Sequence, residues 1–284
     1  MKIARYRRDG EIFLGLVEGE TITRISGRVD GITDDMIALI TAWDDVRAAV
    51  ERLSGSADDN VADFDFLAPV ARPGKIWGIG LNYADHVAEA DLETPAHQSW
   101  FVMAQTTVAG PYDAIERPRV SAALDYEAEL VFVVGKGGRH ITEETATDHI
   151  FGYCVGNDVS VRDYQFHSGQ FSIGKSFDTH APFGPWIVTA DEIDPLTLPI
   201  RCLVNGEVRQ ESNTSHLIYP PAKQIAYLSG AMILEPGDVI FTGTPGGVGA
   251  AMKPPRFLAV GDVVRTEIDG IGAIENIVVE EAAA

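Results

Sequence analysis

The sequence predicts a β-rich, mixed α/β fold: a small N-terminal α+β unit over residues 1–70, then a strand-dominated domain over residues 71–284. Three observations carry this. Short apolar, β-branched and aromatic runs recur from Lys75 onward, the pattern of buried strands. Helical spacing is sparse, and strand-rich stretches without regularly alternating helices argue against a doubly wound sheet. The 28 Gly and 15 Pro supply many turns, in a chain of 284 residues that suits one large domain with an appendage.

Taken in order, Lys2–Tyr6, Ile12–Val17 and Thr21–Ile25 read as short strands separated by Asp9-Gly10 and Glu18-Gly19 turns. Asp34–Leu53 carries apolar residues at helical spacing and predicts one or two helices. The segment Ala68-Pro-Val-Ala-Arg-Pro-Gly74 reads as a linker. Strands are then predicted at Ile76–Ile79, Leu130–Val134, Gly152–Val155, Trp186–Thr189, Ile200–Val204, Val239–Thr242, Val263–Ile268 and Ile274–Val279. Glu143–Ile150, with Thr142 as N-cap, and Ala222–Leu228 read as helices.

The formal charge of -20 makes a surface that repels nucleic acid and anionic membranes, so neither is expected as a partner. Cys154 and Cys202 sit in apolar stretches without metal-ligand spacing and read as buried free thiols. No apolar run reaches the length of a membrane span. Met1–Arg8 is followed by no apolar signal-peptide core, so a reducing cytoplasm is the expected location.

The most informative segment is Leu124-Asp-Tyr-Glu-Ala-Glu-Leu130, running into Val131–Val134. As one strand it puts Glu127 and Glu129 on the same face, with Asp125 at the start of that face. Paired carboxylates on an apolar strand repel each other and resist desolvation. A bound divalent cation removes both penalties, and a solvated face removes them as well; spacing leaves both readings open.

Four further segments carry chemistry. Gly78-Ile-Gly80 lacks the third glycine of a dinucleotide fingerprint, since Tyr83 stands there. It leads to His86 and Glu89, spaced so that one helical turn would join them as a water-activating pair or as a surface contact. Gly156-Asn-Asp158 to Gln165 offers Asp158 as a third carboxylate for an oxygen site, and Arg162 to grip a substrate carboxylate or to form a structural ion pair. Lys175, in a Gly/Pro-rich loop, reads as an anion-holding ammonium or a solvated charge. Phe241-Thr-Gly-Thr244-Pro to Gly249 lacks a Gly-Lys-Ser/Thr ending and is no Walker site. Its turn amides and the Thr244 hydroxyl suit a carboxylate, or the segment is only a tight turn.

Taken together, Gly80-Leu-Asn-Tyr-Ala-Asp-His86, Leu124–Leu130, Gly156-Asn-Asp-Val-Ser160, Lys175-Ser-Phe-Asp178, Pro182-Phe-Gly-Pro185, Asn205-Gly206 with Gln210, Ser212-Asn-Thr214, Pro236-Gly-Asp238 and Thr242-Gly-Thr-Pro245 resemble the fumarylacetoacetate hydrolase family over about residues 75–280. The resemblance implies a mixed β-roll catalytic domain behind a smaller N-terminal domain, and a homodimer. It implies Mg²⁺ or Mn²⁺ on Glu127, Glu129 and Asp158, with Asp125 reduced to a supporting residue; three carboxylates without His or Cys make a hard oxygen site that also suits Ca²⁺. It also implies a His86–Glu89 pair on a mobile lid from Ala84 to about Gln98, a water-orienting Lys175 or Gln165, and substrate contacts from Arg162, Gln165, Lys175 and Thr244. Many members carry a Phe-x-Lys-Pro phrase after the lid. Here Phe101-Val-Met-Ala stands there, so Met103 replaces the lysine. With the acidic Ala90–Pro95 stretch, this points to a larger or less anionic diketone than the usual small diketo-acid.

The expected activity is metal-dependent C–C bond hydrolysis of a diketone or acylpyruvate-type 2,4-dioxo acid through an enolate. The enolate step is shared by an oxaloacetate-type decarboxylase and by a 2-hydroxy-diene-dioate isomerase or keto–enol isomerase, which stand as alternatives. A catalytically silent metal-binding paralogue is the reading from a different class.

Overall fold

The computed structural model describes residues 1–89 and 96–282, excluding the side chains of residues 63 and 86–88. Two sheets dominate. Among the described residues the larger has 12 strands, ten of them on a path from Asp59–Asn60 through Thr21–Arg24, Glu11–Glu18, Lys2–Arg8, Ala181–Thr189, Ile150–Asn157, Ala128–Val134, Val239–Phe241 and Ile76–Gly80 to Ser99–Val102; off it, Asp65–Leu67 pairs with Lys2–Arg8 and Val108–Ala109 with Ala181–Thr189. The N-terminal strands therefore continue the same sheet, joined by the antiparallel register Lys2↔Val188 and Ile3↔Ile187. Asp9 and Gly10, both at positive φ, make the turn of the first hairpin, as its Asp-Gly sequence predicts.

The second sheet has five strands in the order Glu207–Asn213, Pro199–Val204, Val263–Ile268, Gly272–Glu280 and Ile115–Arg117. It packs on one face of the first: Leu130, Phe132 and Val134 share a core with Ile200, Cys202, Val264 and Ile274. Val131 and Val133 point the other way and share a core with Met36, Leu39, Ile40 and Val50 from helices Met36–Thr41 and Trp43–Glu51. Strand Ala128–Val134 is thus covered on both faces, which is why its sequence reads as a continuous apolar run. Asp35 caps the first helix on the Ile37 amide at 2.9 Å. Among the described residues no helix is long and apolar enough to cross a membrane.

Two expectations need correction. The helix predicted over Glu143–Ile150 is a turn followed by a short 3₁₀ segment, Ala146–His149. The Thr145 and Ala146 amides close back on Thr142 and Glu143 through tight three-residue bonds, and the Thr142 and Thr145 hydroxyls hydrogen-bond each other. Hydroxyls of this kind compete with helical hydrogen bonding, and Ile150 then leaves to pair with Val134.

The segment Leu124–Val134 is not one strand. Leu124–Asp125 pairs with Ser160–Val161, whereas Ala128–Val134 pairs with Ile150–Asn157. Between them the chain breaks at Tyr126–Glu127. There the Glu127 amide donates to Asn157 Oδ1 and the Asp158 amide donates to the Glu127 carbonyl, both at 2.9 Å. Several strands also lie where sequence showed none, such as Glu207–Asn213, a polar edge strand with almost no apolar alternation.

Candidate active site

The break at Tyr126–Glu127 builds the site. It turns Glu127 toward the end of strand Ile150–Asn157, where Asp158 follows, while Glu129 projects from the adjoining strand. Carboxylate oxygens of Glu127, Glu129 and Asp158 all lie within 4.8 Å of one another, and all three side chains are buried. The solvated-face reading is therefore excluded.

Lys175 is buried rather than a solvated surface charge. Its ammonium donates to Glu127 Oε2 at 2.6 Å and Asp158 Oδ2 at 2.7 Å, and lies 5.1 Å from the centre of the Phe101 ring. Arg162 donates through Nε to Asp125 Oδ2 at 2.8 Å, and through Nη1 to Glu127 Oε1 at 2.7 Å and Gln165 Oε1 at 2.9 Å. Burial alone would lower both cations' pKa values, but the surrounding carboxylates raise them, so both stay charged.

The carboxylates respond in the opposite sense. Desolvation, then the charges of Asp158 and Glu127, push Glu129 well up, against the Gly243 amide that donates to its Oε2 at 2.7 Å. Desolvation first, then Glu127, raises Asp158 to about 6 despite Lys175.

Charge and hydrogen bonding together test whether a cation fits. Four carboxylates (Asp125, Glu127, Glu129, Asp158) face two cations (Arg162, Lys175), a formal excess of two negative charges that one divalent ion cancels. Asp158 Oδ1 is buried with no hydrogen-bond partner, an acceptor left for such an ion. An all-oxygen donor set of three carboxylates suits Mg²⁺, Mn²⁺ or Ca²⁺.

Asp125 has a different task. Its carboxylate accepts from the Gly249 and Ala250 amides at 2.8 and 2.9 Å as well as from Arg162, and so ties the loop after Thr244 to the guanidinium. A Cβ on Gly249 would lie 2.6 Å from Asp125 Oδ1, so glycine is what lets the loop approach. Gln210 bridges the Ala128 amide at 2.9 Å and the Thr244 hydroxyl at 2.8 Å, leaving the Thr244 proton free to donate elsewhere. Sequence motifs contain Gln210 and Asp125, but spacing gave no sign of either bridge.

Part of this cluster forms the floor of a cavity of about 660 Å³. Glu127, Arg162, Gln165, Lys175 and Thr244 all line it. Arg162 Nη2 is buried without a partner, a donor left for a ligand. The side wall is aromatic: Phe101, Phe171 and Phe166 step from the floor to the surface with ring centres 6.2 and 6.3 Å apart, and Phe166 is 67% exposed. Val248, Met252 and Lys253 line it too. Met103 is a core residue and does not line the cavity. Glu89, on helix Ala84–Glu89, reaches the cavity and accepts from the Gly247 amide at 2.9 Å. The backbone of His86 lies on that helix, but its side chain falls outside the described residues, as does the acidic stretch 90–95 of the expected lid.

Comparison with known proteins agrees with this architecture. The family model described as "Fumarylacetoacetate (FAA) hydrolase C-terminal" matches residues 75–279, and "Rv2993c-like, N-terminal" matches residues 1–69. The chain is 48% identical to the oxaloacetate tautomerase fahd2, mitochondrial, of Xenopus laevis over 221 residues, 77% of this chain and 69% of that one. The fumarylacetoacetate hydrolase of Exiguobacterium antarcticum superposes with a TM-score of 0.88 at 38% identity, covering 99% of this chain and 100% of that one. Maleylpyruvate hydrolase from Sphingobium sp. SYK-6, solved in complex with manganese (II) ion and pyruvate, superposes with a TM-score of 0.84 at 33% identity and the same coverage.

Proposed function

The chain belongs to the fumarylacetoacetate hydrolase family, and from that premise we propose a divalent-metal-dependent enzyme that hydrolyses a C–C bond in an acylpyruvate-type 2,4-dioxo acid. The observation that carries this reading is the floor's two-charge deficit beside two unsatisfied polar groups, Asp158 Oδ1 and Arg162 Nη2. Glu127, Glu129 and Asp158 would hold the ion, which when bound supplies Lewis-acid polarisation of the two adjacent oxygens of a 2-oxo acid.

The chain's own groups do the rest. Arg162 Nη2 and the Thr244 hydroxyl donate to the substrate's carboxylate and keto oxygens. Gln165, whose carbonyl is occupied by Arg162, offers its amide N–H groups. Lys175 keeps Glu127 and Asp158 in place and, with Gln165, orients the attacking water. His86, oriented by Glu89, takes a proton from that water as it adds to the C4 carbonyl. The C3–C4 bond then breaks, its electron pair passes into the enolate of pyruvate, and a proton returned to C3 gives pyruvate and a carboxylic acid. A cavity of about 660 Å³ supports a substrate longer than oxaloacetate, since it has the size that encloses drug-sized ligands. A homodimer belongs to the same reading.

A second reading, keto–enol tautomerisation of oxaloacetate, is favoured by the 48% identity to a tautomerase. It needs the same floor and a proton shuttle but no attacking water. The test is a panel of acylpyruvates and oxaloacetate with Mg²⁺, followed by mass spectrometry and by proton exchange in D₂O. Hydrolysis adds the mass of water and yields two fragments. Tautomerisation exchanges the C3 protons with no change of skeleton, and decarboxylation releases CO₂. Bound metal without any of these outcomes would leave a silent paralogue.

A further inference from the structure

Of the two lysines that line the cavity, Lys175 and Lys253, the proposed chemistry uses only the first. Lys253 lines the cavity with the floor groups, yet it is exposed and stands at the mouth. The other two cations lining the cavity, Arg162 and Lys175, are each consumed by two carboxylates. Among the described residues Lys253 has no carboxylate partner. In a protein of formal charge -20 the surface field repels anions, so an unpaired ammonium at the mouth is a local exception to that field.

The loop that carries Lys253 is held at several points. The Gly249 and Ala250 amides are fixed on Asp125, which also holds Arg162. Arg209 donates to Met252 Sδ at 3.5 Å, and the Arg256 amide returns to the Gly249 carbonyl at 2.9 Å. Lys253 therefore stands at a position set from the floor, and one carboxylate, Asp125, fixes both the floor guanidinium and the loop. The same cavity is lined by the Phe101–Phe171–Phe166 wall and the Val248 and Met252 side chains, which offer no hydrogen bonds to a tail.

We propose that Lys253 reads the far end of the substrate: a 2-oxo acid whose head sits on the floor, whose middle is hydrocarbon against the aromatic wall, and whose tail ends in an anionic group at Lys253. The proposal rests on the keto-acid reading above and adds the residue that selects the tail. It also revises the expectation of a larger or less anionic diketone so far as that rested on Met103, which lies outside the cavity lining; the acidic stretch 90–95 lies outside the described residues.

The test is calorimetric titration of the Mg²⁺-loaded protein with 2-oxohexanedioate and with 2-oxohexanoate, which share a head and differ in the terminal charge. The wild-type protein should prefer the dioate by about tenfold, the scale of one charge-assisted contact weakened by solvent. Raising the salt concentration should shrink that preference. Lys253→Met should bring the ratio near one, and Lys253→Arg should keep it. Equal binding of the two acids by the wild-type protein, or an undiminished preference in Lys253→Met, would overturn the assignment of Lys253 alone. Failure of both acids to bind the wild-type protein would overturn the keto-acid reading and this inference with it.

Discussion

The floor and the wall of the cavity are built on opposite principles. The floor concentrates six ionisable side chains in a few ångströms of protein interior, formally short of two positive charges. The wall is a ladder of aromatic rings that starts at Phe101 under the Lys175 ammonium and ends in a largely exposed Phe166, without hydrogen-bonding groups of its own. The difference teaches where reaction and selectivity reside. Charge held in a low dielectric stabilises developing charge in the reacting head, whereas apolar surface discriminates only by size and burial, at about 1–3 kcal/mol per methylene. Substitutions in the floor should therefore change whether the reaction proceeds, and substitutions in the wall should change on what.

The largest effect is expected from Asp158→Asn, which removes one ion ligand. Mg²⁺-dependent turnover should fall on the order of 10³-fold, since Lewis-acid stabilisation is worth several kcal/mol. Glu129→Gln should likewise abolish turnover, yet it relieves a desolvated carboxylate beside two others. The metal-free variant should melt higher by about 2–4 °C, the shift that 1 kcal/mol produces in a protein of this size. Activity lost with stability gained would mark the floor as strained for function; a lower melting temperature would contradict that.

Lys175→Met leaves Glu127 and Asp158 facing each other without the ammonium. Unfolding in denaturant should show a loss of about 3–5 kcal/mol in the metal-free protein, the cost of breaking a buried pair. Saturating Mg²⁺ should restore part of it by mass action. Acidity should act on the same groups. With Asp158 raised to about 6 and Glu129 raised as well, protons compete with the cation for these carboxylates. Metal affinity should climb by up to about tenfold per pH unit per proton displaced, and calorimetry in buffers of different ionisation enthalpy should detect the released protons. The sign reverses for the metal-free fold. Raised carboxylate pKa values make these two groups least unfavourable at low pH, and their contribution to stability is lost as pH rises through those values.

The smallest effect belongs to the wall. Phe166→Ala should leave the melting temperature within about 1 °C, because an exposed ring contributes little. It should raise KM for long-tailed substrates several-fold with little change in kcat, the mark of uniform binding. A collapse of kcat in this variant would erase the division between floor and wall.

Legibility in the sequence follows the same division. Glu127, Glu129, Asp158, Arg162 and Lys175 stood out because ionisable groups beside apolar strands are costly unless they serve a purpose. The chain break at Tyr126–Glu127 was not legible, because the apolar run on its C-terminal side masks where pairing changes partner from Ser160–Val161 to Ile150–Asn157. Strand alternation alone consequently put Asp125 on the carboxylate face, and only the family resemblance reduced it to a supporting residue; its carboxylate accepts from the Gly249 and Ala250 amides. Phe166 and Phe171 come from a segment of Ser, Gly, Gln and His with no periodicity, so nothing in it announced a binding wall. Val263–Ile268 was legible to the residue, whereas Ile150–Asn157 and Ala181–Thr189 were legible only in their apolar parts, Gly152–Val155 and Trp186–Thr189. The Thr-rich stretch before Ile150 deceived because its spacing is helical and its hydroxyls are not.

The claim on which the rest depends is that the floor holds one divalent cation to which a 2-oxo acid then binds. Titration of the metal-free protein with Mn²⁺, followed by electron paramagnetic resonance, tests it directly. The account predicts one Mn²⁺ per chain, a spectrum altered by added pyruvate, and loss of both signals in Asp158→Asn. Mn²⁺ bound equally well by the wild-type protein and Asp158→Asn, or a spectrum that pyruvate leaves unchanged, would contradict it.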